Sequence, residues 1–194
     1  MVEKSQTNKV LILLSGGIDS TSLVHYYLSK GEKIEAIFFD YGQLSCEREY
    51  QSAIAISKHY DIQIKRVNLG FTIRDQEGEF YCRNALFVLA ACSFLGNSAS
   101  YISIGVHSGT PYYDSTPAFI RDTQTILDGY FGGVFRITAP FLEFSKEQVY
   151  EYALRESVPI HLTYSCEMGQ QEPCGSCLSC IDRRMLDEKS PRKD

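Results

Sequence analysis

The stretch LILLSGGIDSTSLVHYY, residues 11–27, constrains the fold of this chain more than any other. A short apolar run ends at two glycines, and a cluster of small hydroxyl side chains then leads into an apolar segment. This order predicts a strand, a tight turn and a helix. Two glycines let the backbone approach a ligand closely, and the amides at the start of the helix favour an anion. The turn therefore predicts a pyrophosphate site.

Strand-like and helical patterns alternate along the rest of the chain. Apolar strand-like runs recur at residues 10–14, 34–39, 62–67, 101–105 and 135–138. The clearest helical spacing lies between them, at residues 47–60, 84–95, 117–127 and 145–157. Ser145 with Gln148 fits a capping box, and Pro117 suits a first helical turn. The alternation predicts an α/β, Rossmann-like fold with a mostly parallel sheet and helices on both faces. The loops at 69–82 and 106–116 are expected beside the ligand, and residues 187–194 are expected to be a solvated tail.

Length and charge restrict the classes of function. The 194 residues suit a single domain spanning 1–194. The formal charge of −5 leaves no broad basic surface, so we expect no direct nucleic-acid partner. The amino-terminal residues 1–9 are polar and no run of about 18 apolar residues occurs, so we expect no membrane partner and a cytoplasmic location.

Four of the seven cysteines crowd together near the carboxyl end. Cys166, Cys174, Cys177 and Cys180 have the spacing C-x₇-C-x₂-C-x₂-C, which suits a closed, structural tetrahedral Zn²⁺ site within residues 160–186. An iron–sulfur cluster could use the same four sulfurs, and the cysteines could also be simple thiols. A redox C-x-x-C pair fits less well, because that motif belongs at the start of a helix that follows a first strand.

The glycine turn contains neither of the two common nucleotide-binding patterns. Both G-x-G-x-x-G and the lysine of G-x-x-x-x-G-K-[ST] are missing, and S-G-G-x-D-S stands in their place. This string resembles the PP-loop of the ATP pyrophosphatases, also called adenine nucleotide alpha hydrolases. The resemblance implies that Asp19 helps to place Mg²⁺ and that the departing pyrophosphate is held by Ser15, Gly16, Gly17, Ser20 and Thr21. The alternative is a plain turn in which Asp19 caps the helix.

Together with the turn, several short strings over nearly the whole chain resemble the 7-cyano-7-deazaguanine synthases, the QueC family. They are FDYGQ at 39–43, RN at 83–84, GV at 105–106, YDSTPAFI at 113–120, SKEQ at 145–148, LTYSC at 162–166 and PCGSCLSC at 173–180. The resemblance implies an ATP-dependent carbon–nitrogen ligase that adenylates 7-carboxy-7-deazaguanine, a small 7-deazapurine acid. Ammonia then gives an amide, and a second activation gives the nitrile. ATP, Mg²⁺ and Zn²⁺ are the implied cofactors, and a homodimer is the implied assembly.

The same resemblance implies the residues of the site. Asp19, Arg83 and Lys146 are the expected catalytic residues. ATP is expected at Leu14, Ser15, Gly16, Gly17, Ile18, Asp19, Ser20, Thr21, Phe38, Phe39 and Gly105. The substrate is expected at Asp40, Tyr41, Gln43, Arg83, Asn84, His107, Tyr113, Asp114 and Phe119.

Physical chemistry suits several of these roles. Arg83 can hold a carboxylate or a phosphate in a bidentate way, and Asn84 can cap its own helix. Asp114 can accept hydrogen bonds from the guanine-like edge while Phe119 or Tyr113 stacks on the ring. His107 is the one histidine placed to carry a proton.

Each role has a structural alternative. The two aspartates Asp40 and Asp114 could be turn residues, and the Tyr112–Tyr113 pair could simply pack within its loop. Arg83 could form a surface ion pair, and Lys146 could be a solvated side chain of a first helical turn.

The chain departs from the family pattern on the acceptor side. Tyr81 and Cys82 replace the usual Pro-Gly pair before Arg83, Leu44 and Ser45 replace a basic pair, and Ala118 replaces a glutamate. The loop after residue 106 is also shorter and has lost one acidic residue. The second reactant is therefore open: the enzyme could stop at the amide, or couple the acid to a larger amine such as a protein amino terminus, as in QueC-like defence enzymes. Two further alternatives are a sulfur-transferring PP-loop enzyme acting on tRNA and a non-catalytic zinc-bearing partner protein.

Overall fold

Five parallel strands form one sheet in the order β3-β2-β1-β4-β5. The computed structural model describes residues 9–70, 81–94 and 101–189. The strands are β1 Lys9–Leu13, β2 Lys33–Asp40, β3 Gln63–Asn68, β4 Tyr101–Ser103 and β5 Arg136–Thr138. Each neighbouring pair is parallel, and β1 pairs with β2 on one side and β4 on the other. The expected parallel sheet is confirmed.

Helices cover both faces of the sheet. They are α1 Ile18–Ser29, α2 Cys46–His59, α3 Arg83–Cys92, α4 Pro117–Phe131, α5 Lys146–Arg155 and α6 Leu178–Lys189, with 3₁₀ turns at Tyr113–Ser115 and Ile160–Leu162. Val10 and Ile12 of β1 pack in one core with α1, α2 and α5, whereas Leu11 packs in a second core with α3 and α4. This alternation follows from the two-residue period of a strand buried on both faces.

Local sequence signals account for several helix boundaries. Ser145 and Gln148 form the expected capping box at the start of α5. The hydroxyl of Thr116 accepts a hydrogen bond from the Phe119 amide, and Pro117 occupies the first turn of α4. The predicted strands and helices agree with the observed ones to within a few residues, except that α4 extends to Phe131.

Helix α6 was not predicted, and its last residues correct one expectation. Asp187 to Lys189 belong to this helix rather than to a solvated tail, and residues 190–194 lie outside the described part of the chain. Leu186 of α6 packs with Tyr150 and Ala153 of α5. This packing attaches residues 160–186, which we call the cysteine segment, to the body of the domain.

The strand order reverses between β1 and β4, because the chain runs outward through β2 and β3 before it returns to β4. In open α/β sheets, ligands bind at the carboxyl ends of the strands at such a switch point. The glycine turn follows β1 directly, so it lies at this point. Of the helices described, none is long and apolar enough to cross a membrane.

Candidate active site

A cavity of about 450 Å³ opens at the carboxyl ends of β1, β2 and β4. Two groups of its lining residues receive names here, the phosphate wall and the acceptor wall. The phosphate wall is the glycine turn with Gly105, and its lining residues are Leu14, Ser15, Gly17, Ile18, Asp19, Ser20 and Gly105. The acceptor wall comprises Arg83, Asn84, Tyr112 and Asp114. The remaining lining includes Phe38, Phe39, Tyr41, Gln43, Glu49, His107, Lys146, Ser179 and Arg183.

Hydrogen bonds on both sides hold the glycine turn in place. The Leu14 amide donates to the Ile37 carbonyl of β2 at 2.8 Å, which continues the sheet into the turn. On the helix side, the hydroxyls of Ser20 and Thr21 donate to the Gly17 carbonyl at 3.1 and 2.7 Å. The cavity-facing backbone is therefore held without a ligand, as a preorganised anion site requires. Thr21 itself is fully buried and does not line the cavity.

Gly16 lies against the protein rather than against the cavity. Its φ is +86°, and a Cβ at this position would lie 2.6 Å from the Glu49 carbonyl oxygen. Its own carbonyl accepts hydrogen bonds from the Ser52 hydroxyl at 2.8 Å and from the Tyr164 amide at 3.0 Å. Glycine is required here by a left-handed backbone and by close packing on α2.

Gly105 brings the end of β4 close to the start of α1. A Cβ at this position would lie 3.0 Å from the Ser20 amide nitrogen and 3.1 Å from the Asp19 carbonyl carbon. Because Gly105 has no side chain, the end of β4 and the start of α1 can both border the floor of the cavity.

Asp19 is the acidic group of this floor. Its Oδ2 lies 3.8 Å from Nε2 of the buried His107, whose Nδ1 is 2.7 Å from the Ser108 carbonyl oxygen. Since a carbonyl only accepts, Nδ1 carries a proton and donates to it. Burial raises the pKa of Asp19, while His107 and Lys146 oppose that rise. A carboxylate in such surroundings is suited to hold a cation beside phosphates.

Lys146 lies at the edge of the cavity in an ion pair. Its Nζ is 2.6 Å from Asp182 Oδ2, and both side chains are about two-fifths exposed (38% and 46%). Its positive charge lies near enough to Asp19 to oppose the rise in the pKa of that carboxyl group. Lys146 is therefore partly neutralised by α6.

Aromatic side chains and a polar cluster form the β2 side of the cavity. Phe39 stacks on Phe87 of α3 with ring centroids 4.9 Å apart. The Gln43 side chain donates to Glu49 at 3.0 Å and accepts from the Tyr41 amide at 3.0 Å. Burial raises the pKa of Tyr41, and the nearby Arg83 opposes this rise. Glu49 and Phe87 were not expected at the site from the sequence.

The acceptor wall is built from two distant segments. Asp114 Oδ2 accepts from the Asn84 backbone amide at 3.4 Å, and Asn84 Nδ2 donates to the Asp114 carbonyl at 3.4 Å. The expectation that Asn84 caps its own helix is wrong, because the cap position is Cys82 and the Asn84 side chain bonds across to the 3₁₀ turn instead. Cys82 has φ +62° and is exposed.

The structure does not bring every expected residue to the cavity. Gly16, Thr21, Asp40, Tyr113 and Phe119 are not among its lining residues. Asp40 pairs with Arg66 at 2.8 Å on β3, and Tyr113 donates its hydroxyl to Asp122 at 2.5 Å. Phe119 is 3% exposed and packs in the core under α4.

Helix α6 supplies lining residues that sequence reasoning missed. Ser179, Arg183 and Leu186 reach the cavity from the cysteine segment. The signal available from the sequence was the spacing C-x-x-C-x-x-R at residues 177–183. Without the fold, this spacing does not show that the arginine reaches a cavity.

The four cysteines come together as a metal site requires. Their Sγ atoms all lie within 4.8 Å of one another, and those of Cys174 and Cys180 are 3.9 Å apart. A Zn–S bond of about 2.3 Å in a tetrahedron corresponds to sulfurs about 3.8 Å apart, so the cluster fits Zn²⁺.

Backbone amides favour the thiolate form at two of the four cysteines, Cys174 and Cys166, whereas burial raises the pKa of Cys180 to about 12. The backbone N–H groups of Ser176 and Cys177 lower the pKa of Cys174 to about 6. Burial raises the pKa of Cys166, but the amides of Cys174 and Met168 outweigh it, and the net shift is downward. Thiolates are the metal-binding form of cysteine, so these amides favour a metal.

Known proteins match this chain over nearly its whole length. The sequence profile described as "Queuosine biosynthesis protein QueC" matches residues 9–77 and 80–188. A 7-cyano-7-deazaguanine synthase from Aquifex aeolicus is 32% identical, over 90% of this chain and 94% of the relative. Enzymes of the same name from Prochlorococcus marinus and Thermoplasma volcanium are 30% and 31% identical, over 95% and 89% of this chain and 95% and 83% of theirs. With the PP-loop turn and the four-cysteine cluster in place, this chain belongs to the QueC family.

Proposed function

We propose that this protein is an ATP-dependent carbon–nitrogen ligase acting on the carboxylate of 7-carboxy-7-deazaguanine. The carboxylate attacks the α-phosphorus of ATP, which gives an acyl adenylate and releases pyrophosphate. Ammonia attacks the acyl carbon, AMP leaves, and an amide results. A second ATP adenylates the amide oxygen, and departure of AMP with that oxygen leaves the nitrile.

The phosphate wall is the observation that carries this proposal. The backbone amides at the start of α1 face a cavity of about 450 Å³ beside Asp19. Amides and a helix N-terminus bind phosphate oxygens, and a carboxylate beside phosphates calls for a cation between them. When bound there, Mg²⁺ would neutralise charge on the departing pyrophosphate, with Asp19 as its protein ligand.

The acceptor wall suits a planar acid with a guanine-like edge. Arg83 presents a guanidinium that can hold the substrate carboxylate in a bidentate way. Asp114 uses Oδ2 toward the Asn84 amide, and among the described residues nothing donates a hydrogen bond to Oδ1, which can accept from donors of the substrate ring. The zinc that the four cysteines fit would be structural, since all four ligand positions are taken by sulfur.

The test is to count nucleotides against product. The purified protein is incubated with 7-carboxy-7-deazaguanine, ATP, Mg²⁺ and ammonium, and products are measured by mass spectrometry together with AMP. We expect nitrile with two AMP per molecule. Amide with one AMP would place the end of the reaction after the first activation, and absence of AMP would refute the proposal.

A second candidate is coupling of the activated acid to a larger amine, such as a protein amino terminus. It is favoured by a rim of exposed tyrosines next to Arg83, with Tyr81 77% and Tyr112 45% exposed. Adding a short peptide amine to the same reaction tests it. An amide-linked peptide formed faster than the nitrile would favour this candidate, and nitrile alone would exclude it.

A further inference from the structure

Helix α6 connects the four-cysteine cluster to the cavity. Cys180 lies in its first turn and belongs to the cluster, while Arg183, one turn later, lines the cavity. Residues three apart on a helix lie on one side of it. The segment that holds the metal thereby places a guanidinium at the site.

Hydrogen bonds fix the orientation of that guanidinium. Its Nε donates to Asp187 at 3.2 Å (Oδ1) and 3.1 Å (Oδ2), and its Nη1 donates to the Thr163 hydroxyl at 3.2 Å. The side chain is 21% exposed. Within residues 9–70, 81–94 and 101–189, nothing accepts a hydrogen bond from Nη2. A half-buried arginine held on two sides, with donors left over beside a cavity, is arranged to bind an anion.

The partners of Arg183 locate it on the phosphate side. Thr163 precedes Tyr164, whose amide donates to the Gly16 carbonyl at 3.0 Å. The Ser52 hydroxyl lies between these two segments, 2.8 Å from the Gly16 carbonyl oxygen and 2.6 Å from the Leu162 carbonyl oxygen. Residues 162–164 are thus fastened to the glycine turn and carry the partner of Arg183.

The neighbouring charges agree with this location. Asp182, which precedes Arg183 in α6, forms an ion pair with Lys146. The positive charge of Lys146 in turn favours the ionised form of Asp19 in the phosphate wall. Lys146 and Arg183 therefore bring two positive groups to the side of the cavity that contains the turn. Arg83, in contrast, belongs to the acceptor wall.

We infer that Arg183 binds the phosphate groups of the nucleotide, and that the cysteine segment holds it in position to do so. This inference rests on the proposed function, because it takes ATP as the ligand of the cavity. The nucleotide then contacts backbone amides on the β1 side and one guanidinium on the α6 side.

The experiment is a binding measurement, which does not depend on turnover. Calorimetry gives the Kd of the metal-loaded protein for a non-hydrolysable ATP analogue with Mg²⁺, and separately for 7-carboxy-7-deazaguanine. The variant is Arg183→Gln, and the control is Arg184→Gln, which removes the same charge from an exposed neighbour. We expect Arg183→Gln to weaken the analogue by about tenfold to a hundredfold, as loss of a charged hydrogen bond does, and to leave the acid unaffected. The control is expected to bind both ligands as the unchanged protein does.

The outcomes separate this inference from the proposed function. Failure of the unchanged protein to bind the analogue would refute both. Normal binding by the unchanged protein with equal binding by Arg183→Gln, or a loss confined to the acid, would overturn the inference alone. If Arg183→Gln does not fold, Thr163→Val removes the acceptor of Nη1, together with the hydroxyl's own hydrogen bond to the Ile160 carbonyl, and leaves the arginine in place. A severalfold loss of analogue affinity is expected. An unaltered Kd for that variant would overturn the inference.

Discussion

The phosphate wall and the acceptor wall face one cavity but are built differently. The phosphate wall is mainly backbone, with Asp19 as its acidic side chain, and hydrogen bonds of 2.7 to 3.1 Å fix it to α1, β2, α2 and the 162–164 segment. The acceptor wall is made of side chains, joined by two bonds of 3.4 Å and bordered by the exposed Tyr81 and Cys82. Substitution changes the chemical groups of a wall made of side chains directly, whereas it changes a wall of fixed backbone only by displacing the chain.

The most severe way to break the phosphate wall is Gly16→Ala. The new Cβ would lie 2.6 Å from the Glu49 carbonyl and must displace the turn, since φ there is +86°. A displacement of about 1 Å can cost a hundredfold in rate, so we expect turnover to fall by at least about that factor. Steady-state kinetics with ATP measures it.

Gly31→Ala is the matched control for this prediction. Gly31 also has a left-handed φ, +75°, but a Cβ there meets nothing within 4 Å. We expect a stability loss of about 1 kcal/mol and unchanged ATP affinity. If the two variants lose activity equally, strain rather than contact with α2 explains the effect.

Asp19→Asn tests the charge of the same wall. It removes the carboxylate that would hold Mg²⁺ and keeps the size of the side chain. We expect kcat to fall by about 10² to 10³, with a higher Mg²⁺ requirement. Asp61→Asn makes the same change at an exposed residue before β3 and is expected to be neutral. A kcat of Asp19→Asn equal to that of the unchanged protein would contradict the assignment of Asp19 as the cation ligand.

Cys177→Ser tests whether the phosphate wall depends on the cysteine cluster. Loss of one of four sulfurs should release the metal, lower the melting temperature and weaken ATP binding through α6. Mass spectrometry measures the metal content, thermal melting measures the stability, and calorimetry measures the nucleotide affinity. Cys92→Ser, whose thiol donates to the Val88 carbonyl within α3 at 3.2 Å, is the control. Metal loss with unchanged nucleotide affinity would separate the two regions.

The smallest effect is expected from the acceptor wall. Arg83→Gln should raise KM for the deazapurine acid by about tenfold and leave the Kd for ATP unchanged, because one charged hydrogen bond contributes about 1.5–3 kcal/mol. Arg121→Gln on the outer side of α4 makes the same change at a solvent-exposed position. A loss of ATP affinity in Arg83→Gln would show that the two walls are not separate.

The sequence predicted the phosphate wall better than the rest of the site for a physical reason. All of its residues except Gly105 are contiguous, so the strand, glycines and helix start could be recognised from local signals. The role of Gly16 could not, because it depends on contact with Glu49 and Ser52 of α2, more than thirty residues away.

The misplaced residues share that dependence on distant partners. Asp40 is taken by Arg66, 26 positions later, and Tyr113 by Asp122. Helix α6 was missed because its sequence is mostly polar and buries only Cys180 and Leu186. The sheet, in contrast, was predicted mainly from its central strands β1, β2 and β4, which are apolar and largely buried, a pattern that depends on no particular partner.

The most direct test of the central claim is a crystal structure with a non-hydrolysable ATP analogue and Mg²⁺. The expected result is that the β- and γ-phosphates accept hydrogen bonds from the amides at the start of α1, with Mg²⁺ beside Asp19. Nucleotide bound elsewhere with the glycine turn empty would contradict the assignment of this turn as the pyrophosphate site.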